Sequence, residues 1–384
     1  MKRSAEVIII GGGVVGASVA YHLALRGCRD ILILEREGLV GLGSTGKATG
    51  GVRAQFETDI NIQLSLYSLD FFANWEVDCG YDPRGYAFLA TNELHLEYLH
   101  TSGERQRRLG YDGVRMLKPA EIADHVPGLN LADVLGASFG PRDGFIDPRA
   151  VLNGFLDQAR RLGCHCELDS HVQGIALDAG RVCGVKTSNS DFSSDHVVIC
   201  TGAWARELAS SAGVDLPVTP QRRQIVWARA SQKVPSDLPM VIDMSDGFHF
   251  RPVTNSDHEV LLAYADPSQM EGFETTFDES FIGKVMPKAR HRAPFLADLT
   301  VIREKCRAGL YENSPDRHAI IGHSGVDGLY LANGLSGHGV MHSPAVGRAV
   351  AEIILDGEAS FLDVSQLSIR RFATGELLRE TSFI

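Results

Sequence analysis

The stretch Glu6-Val-Ile-Ile-Ile-Gly-Gly-Gly-Val-Val-Gly16 decides how the rest of this 384-residue chain is read. Val7 to Ile10 form an unbroken apolar run, the pattern of a parallel strand buried on both faces. Gly11, Gly13 and Gly16 follow as G-x-G-x-x-G, and Ala17-Ser-Val-Ala-Tyr-His-Leu-Ala-Leu-Arg26 is a good helix former closed by Gly27. Gly11 permits the tight turn, Gly13 lets a pyrophosphate approach the backbone, and Gly16 lets the helix pack close on the strand. The helix N-terminus offers N–H groups and a positive dipole end to phosphate. A second apolar run, Ile31-Leu-Ile-Leu34, ends at Glu35, about 20 residues past the glycines, where a carboxylate can accept ribose hydroxyls. Strand, helix, second strand and acid in register specify a dinucleotide-binding unit, which a lone glycine pattern would not.

The chain is too long for one ordinary core, so two interleaved domains are expected. Hydrophobic content of 44% and charged content of 22% are those of a globular protein. A net charge of −11 with no basic block excludes nucleic-acid and anionic-membrane partners. Met1-Lys2-Arg3 before an apolar run resembles a signal peptide, but that run is broken by the glycines the cofactor turn needs, so export is not expected. No apolar run reaches the length of about 18 residues that a membrane span requires. Seven cysteines without framework spacing point to reduced thiols and a cytoplasmic location. Cys164-His165-Cys166 is spaced too closely for a zinc clip and reads as a strand carrying scattered thiols.

Beyond Glu35 runs a glycine-rich loop, Gly41-Leu-Gly-Ser-Thr-Gly-Lys-Ala-Thr-Gly-Gly-Val-Arg53. A helix is expected from about Asp59 to Cys79, its stripe of Ile60, Leu64, Tyr67, Phe71 and Trp75 belonging to the core. Tyr86 to Ala90 reads as a strand, Leu94 to Leu109 as a charged surface helix, and Ala137 to Asp147 as a strand and turn. Pro148 starts a helix to Leu162. Cys166 to Leu177 and Arg181 to Lys186 form a hairpin. Asp195-His-Val-Val-Ile-Cys-Thr-Gly-Ala-Trp204 repeats the buried strand running into glycine, so Thr201 and Gly202 pass the cofactor. From Pro217 to Leu310 alternating strands (Arg223 to Arg229, Gly247 to Pro252, Glu259 to Tyr264, Thr300 to Tyr311) and one helix, Phe281 to Phe295, predict an antiparallel sheet. Leu329 to Met341 is a strand entering a glycine loop, followed by a helix from Ala345 to Leu355.

Four segments carry a resemblance: Ile8 to Gly16, Gly43-Ser-Thr-Gly-Lys-Ala-Thr-Gly-Gly-Val-Arg-Ala-Gln-Phe56, Ala308-Gly-Leu-Tyr-Glu-Asn-Ser-Pro-Asp316, and Gly334-Leu-Ser-Gly-His-Gly-Val-Met-His-Ser-Pro-Ala-Val-Gly347. With them the whole chain resembles the D-amino-acid-oxidase-like flavoproteins, most of all the branch of sarcosine oxidase and dye-linked L-proline dehydrogenase β-subunits. The resemblance implies an α/β fold in which a Rossmann-like FAD-binding domain (1–80, 145–215 and 312–384) is interleaved with an antiparallel-sheet, α+β substrate domain (81–144 and 216–311). It implies FAD rather than NAD, held by Gly11, Gly13, Val14, Val15 and Gly16, by Glu35 and Arg36, and by Gly43, Ser44, Thr45, Lys47, Ala48, Thr49, Gly50 and Gly51. Val172, near the adenine, joins them with Thr201, Gly202, Trp204 and Gly309. The last group is Gly334, Leu335, Gly337, His338, Gly339, Val340 and Met341, whose loop meets the pyrimidine end of the flavin. The N–H groups of that loop can stabilise negative charge on the reduced ring.

Departures from the family sharpen the expectation. The cysteine that links flavin in monomeric sarcosine oxidases aligns with Gly309, and the flavin-linked histidine of dimethylglycine dehydrogenases falls near Lys47, so FAD is expected without a covalent bond, Cys306 being the one alternative attachment point. The carboxylate-binding arginine of glycine and D-amino-acid oxidases aligns near Tyr311. Of the two cations that hold sarcosine's carboxylate, Arg53 is kept and the lysine is replaced by Met341. The lysine associated with oxygen activation aligns with Leu261, which favours a dye, quinone or flavoprotein acceptor over oxygen.

Arg53 can clamp a carboxylate bidentately, as only a guanidinium does well. His249, in Phe248-His-Phe250, can accept an ammonium proton. Tyr264 and Tyr311 shape the pocket, since a phenol with a pKa of about 10 is a poor base at neutral pH. The expected activity is oxidation of the C–N bond of a secondary or cyclic amino acid, sarcosine- or proline-like, with hydride passing to flavin N5. Alternatives are a 2-hydroxy-acid oxidoreductase, or a flavin-binding subunit active only with a hetero-oligomeric partner.

Overall fold

Val7–Ile10 is apolar and buried at every position, and it becomes the centre of a six-stranded sheet. The computed structural model describes residues 3–296 and 298–381; Met1 and Lys2 of the leader-like start, and residues 382–384 of the last expected cofactor segment, lie outside the described residues. The sheet runs Ile320–His323, Leu329–Asn333, His196–Ile199, Val7–Ile10, Ile31–Leu34, His165–Glu167. All neighbours are parallel except the antiparallel pair Ile320–His323 and Leu329–Asn333. A parallel sheet must be covered on both faces. Helices Val14–Leu25, Pro148–Arg161 and Gly339–Asp356 share one apolar core on the first face. On the other lie helix Ala205–Ser210 and a small sheet of Val172–Asp178, Arg181–Thr187 and Asp191–Ser193.

The second large sheet has nine strands. Its order is Leu299–Val301, Thr219–Ala230, Glu259–Ala263, His249–Pro252, Met240–Asp243, Tyr86–Ala90, Gly136–Gly140, Arg115–Leu117, with Arg307–Asn313 also paired to Thr219–Ala230. Helix Ser280–Arg292 buries Phe281, Val285 and Ala289 against one face. Its last residue, Arg292, is anchored beneath the sheet by Asp243 at 2.7 Å and Asp133 at 2.9 Å.

Several boundaries differ from the sequence expectations for physical reasons. The sheet is not purely antiparallel: Met240–Asp243 and Tyr86–Ala90 run parallel. The long strand expected from Thr300 to Tyr311 is two strands, because residues 302–306 step out of the ladder opposite Trp227, whose N–H donates to Cys306 Sγ at 3.4 Å. Cys166 belongs to the edge strand of the parallel sheet, and the hairpin begins only at Val172. The helix expected to Cys79 ends at Asn74, where Trp75 turns extended and packs on Phe155, ring centroids 4.6 Å apart. The glycine-rich loop holds a helical turn, Ser44–Lys47, and a short strand, Gly51–Val52. The last long helix starts at Gly339, not Ala345, with Pro344 inside it. Proline has no N–H to give the preceding turn; the Val340 carbonyl accepts from Ser343 Oγ at 2.8 Å instead.

Candidate active site

The two large sheets and the glycine-rich loop enclose a cavity of about 690 Å³. Its floor is the strand–turn–helix at the start of the chain. Gly11 has φ +109°, and a Cβ there would stand 2.4 Å from the Cys200 carbonyl oxygen, so only glycine makes this turn. Gly13 ends the turn; a Cβ there would meet Thr45 Oγ1 at 3.5 Å, and the glycine itself gives the helix that follows no side-chain cap. Val14 N–H donates to Thr45 Oγ1 at 3.1 Å. The Glu35 carboxylate is held at the cavity edge by Gly12 N–H (2.7 Å) and Glu37 N–H (3.0 Å). Arg36 lies 3.9 Å over the Trp204 ring, with Phe273 stacked on the same indole.

A second helix N-terminus meets the first. Helix Gly339–Asp356 is N-capped by His338 without a side-chain hydrogen bond, and His338, Gly339, Val340 and Met341 line the cavity. Burial pushes the His338 imidazole well below its usual range, so it is neutral. The two positive helix ends therefore face one space.

The glycine-rich loop is pinned from the roof sheet. Arg307 donates to the carbonyls of Lys47 (3.2 Å) and Ala48 (3.0 Å), Arg251 donates to that of Thr49, and Ser44 Oγ donates to the Leu310 carbonyl at 2.7 Å. A Cβ at Gly51 would overlap the Tyr86 hydroxyl, which is why the loop can lie this close.

All four side chains expected to act on substrate reach the cavity wall: Arg53, His249, Tyr264 and Tyr311. The Arg53 guanidinium, buried, lies 3.9 Å over the Phe56 ring and donates to the Gln55 carbonyl. Among the described residues no carboxylate lies within the 4.0 Å of a salt bridge to it. His249 Nδ1 is 3.0 Å from the Gly247 carbonyl, which can only accept, so Nδ1 carries the proton and Nε2 is left as the acceptor. Burial lowers its pKa, aided by Arg53 and Arg223. Tyr264 sits under Lys288, Nζ 4.4 Å from the ring, and the Tyr311 ring fills the space that a Cβ at Gly337 would need.

Of the expected cofactor residues, Gly16, Gly334 and Leu335 stand behind the wall rather than on it. A Cβ at Gly16 would meet the Gly11 carbonyl at 2.1 Å, Gly334 N–H donates to Glu312 at 3.1 Å, and Leu335 packs in the core. The others line the cavity. Leu261 is buried in the sheet, paired with Trp227 and Arg251, and does not line the cavity, so it gives no footing for an argument about oxygen. Cys306 is likewise absent from the wall; the lining cysteine is Cys200, whose thiol burial pushes up and so keeps protonated.

Sequence reasoning missed Arg223, Glu312 and Tyr86. Arg223 lies on a strand already expected, and Glu312 one residue past the expected end at Tyr311 of another, both at cavity-lining positions that only the pairing reveals. Burial pushes the Glu312 carboxyl up to about 7. FAD fits these residues: a helix N-terminus whose cap residue, Gly13, has no side chain, a carboxylate at the next strand end, and a buried Thr201 Oγ1 on the wall without a hydrogen-bond partner.

A family model described as DAO, FAD dependent oxidoreductase, matches residues 6–353. The chain is 31% identical to FAD-dependent oxidoreductase domain-containing protein 1 of Xenopus laevis, over 99% of this chain and 85% of that protein. It is 27% identical to mitochondrial dimethylglycine dehydrogenase of Homo sapiens, over 97% of this chain and 45% of that protein. The L-proline dehydrogenase structure from P. horikoshii superposes with a TM-score of 0.90 at 28% identity, covering 98% of this chain and all of that one.

Proposed function

Because the chain belongs to the DAO family of FAD dependent oxidoreductases, we propose that it oxidises the C–N bond of a secondary or cyclic amino acid. On this reading 1–80, 145–215 and 312–384 hold the cofactor, and 81–144 and 216–311 hold the substrate. The observation that carries the reading is Arg53, a buried guanidinium on the cavity wall with an aromatic ring on one side and, among the described residues, no carboxylate partner. A buried charge without a counterion is costly. A substrate carboxylate removes that cost through two parallel charge-assisted hydrogen bonds and is thereby oriented. Neutral His249, with Nε2 free to accept, takes the ammonium proton so that the amine lone pair is available. FAD, when bound, would supply the redox chemistry as acceptor of a hydride, one proton with two electrons, from the substrate carbon. The named relatives that act on dimethylglycine and on L-proline support an amine as the substrate class.

The test is an anaerobic screen of N-methyl, cyclic and primary amino acids beside lactate and 2-hydroxyglutarate, followed by flavin absorbance. Bleaching by a secondary or cyclic amino acid is the expected result. Bleaching by the hydroxy acids alone would make the protein a 2-hydroxy-acid oxidoreductase. No bleaching without an added partner protein would make it an accessory subunit.

A further inference from the structure

Arg53 is not the only guanidinium on the wall. Arg223 lies on strand Thr219–Ala230, two residues from Ile225 and so on the same face of the sheet. Ile225, Ala263, His249 and Ile242 stand opposite one another across four strands, and all line the cavity. Phe88 continues that row on the next strand, with the Arg53 guanidinium 5.4 Å from its ring. At the other end the Arg223 guanidinium is 5.2 Å from the Tyr311 ring. The two cations thus flank the row at either end, with His249 between them.

Neither has an acidic partner. Arg223 donates to the neighbouring Arg222 carbonyl at 3.2 Å, and among the described residues no carboxylate lies within 4.0 Å of its guanidinium. Asp266, the acid whose field reaches it, is held by Lys284 at 2.7 Å. Other arginines of this sheet are engaged away from the substrate space: Arg229 pairs with Glu259 at 2.7 Å, and Arg251 and Arg307 hold the carbonyls of the glycine-rich loop. On the cavity wall, Arg53 and Arg223 each donate to a carbonyl within two residues of themselves and, among the described residues, pair with no carboxylate, whereas Arg36 pairs with Glu37.

We infer that the substrate carries two carboxylates, one bound by Arg53 and the other by Arg223, with the reacting amine between them beside His249. The amine part rests on the function proposed above; the binding of a dianion does not. A monocarboxylate leaves one half-buried guanidinium unpaired, whereas a dicarboxylate neutralises both.

The experiment titrates the FAD-loaded protein, at constant ionic strength, with malonate, succinate and glutarate against acetate, propionate and butyrate. Calorimetry and flavin difference spectra give the dissociation constants. The expected result is that one dicarboxylate binds at least about tenfold more tightly than its monocarboxylate counterpart, a charge-assisted hydrogen bond being worth that much. Arg223→Gln should bring the dicarboxylate down to the monocarboxylate level, Arg223→Lys should restore part of the difference, and Arg53→Gln should weaken both classes. Equal binding in the wild type, a preference that survives Arg223→Gln, or loss of FAD from that variant would each overturn the assignment. An anaerobic comparison of N-(carboxymethyl)glycine and glutamate with sarcosine and proline separates the two readings. Tight dicarboxylate binding with no amine bleaching the flavin sinks the amine function and leaves the dianion site. Sarcosine or proline reacting faster than every dicarboxylic amine does the reverse.

Discussion

Arg53 is positioned by a buried carboxylate. Asp143 accepts from Ala54 N–H (2.8 Å), Gln55 Nε2 (2.8 Å) and the Tyr111 hydroxyl (2.9 Å), so it fixes the turn whose Gln55 carbonyl receives the Arg53 guanidinium. Arg53→Lys replaces a two-pronged donor by a point charge; kcat/KM on the best amino acid should fall about 10- to 100-fold, or roughly 1.4–2.7 kcal/mol, while FAD content is kept. Wild-type kinetics in Arg53→Ala would remove it from the site altogether. Burial pushes Asp143 up to about 6. With a folded pKa above the unfolded value of about 3.9, its stabilising contribution is complete below that value and is lost as pH rises through about 6. Urea midpoints of the wild type relative to Asp143→Asn should accordingly decline between about pH 4 and 6, by up to about 3 kcal/mol. The variant should also raise KM, because the Arg53 turn loses its anchor. A flat difference across that range would place the ionisation elsewhere.

At the scale of elements, the decisive contact is the crossing of helices Val14–Leu25 and Gly339–Asp356, whose N-termini both open on the cavity. Ser18 Oγ donates to the Ser343 carbonyl at 2.7 Å, and a Cβ at Gly347 would stand 2.2 Å from Ser18 Oγ and 2.7 Å from its backbone carbonyl carbon. Backbone cannot retreat without moving the helix. Gly347→Ala should therefore cost about 1–3 kcal/mol and weaken FAD binding, since the two N-termini shift together. Gly283, inside helix Ser280–Arg292 with no atom within 4 Å of an added Cβ, is the control. Gly283→Ala should stabilise by about 0.5–1 kcal/mol. Chemical denaturation of both, with FAD titration, checks the pair, and equal effects would mean that the crossing is not what the glycine protects.

For the molecule as a whole, the cavity is where the two large sheets and the glycine-rich loop converge. Gly309 and Lys47, the two positions at which the resemblance would look for a flavin-linking side chain, meet, a Cβ on Gly309 lying 3.1 Å from that of Lys47, and Cys200 is held protonated by burial. Acid precipitation is expected to release all the flavin to the supernatant; yellow protein in the pellet would show a covalent link. Because only the folded state assembles the cavity, FAD at a hundred times its dissociation constant should add about 2.7 kcal/mol of stability. Stripping it should lower Tm measurably, and adding FAD back should restore it. No helix among the described residues is long and apolar enough to cross a membrane.

The amino-acid sequence by itself determined the elements whose energetics are local. The apolar run and glycine spacing specified strand Val7–Ile10 and its helix to within a few residues. Pro148 marked a helix start that the structure shows capped by Asp147, whose Oδ1 accepts from Arg149 N–H at 2.8 Å. The aromatic stripe packs against Phe155 through Phe71 of the Asp59–Asn74 helix and Trp75 just past its end. The local reading together with the family resemblance placed Arg53, His249, Tyr264 and Tyr311 as candidates, and all four reach one cavity. Tertiary structure alone decided which strands are neighbours and which face each presents. The parallel pairing of Met240–Asp243 with Tyr86–Ala90 joins segments far apart in the chain, and no turn between them encodes its direction. Leu261 fell away from the site and Arg223 entered it for the same reason. A one-residue change of register moves a side chain to the opposite face of a sheet, and register is set by packing of the whole sheet, not by the strand's own residues.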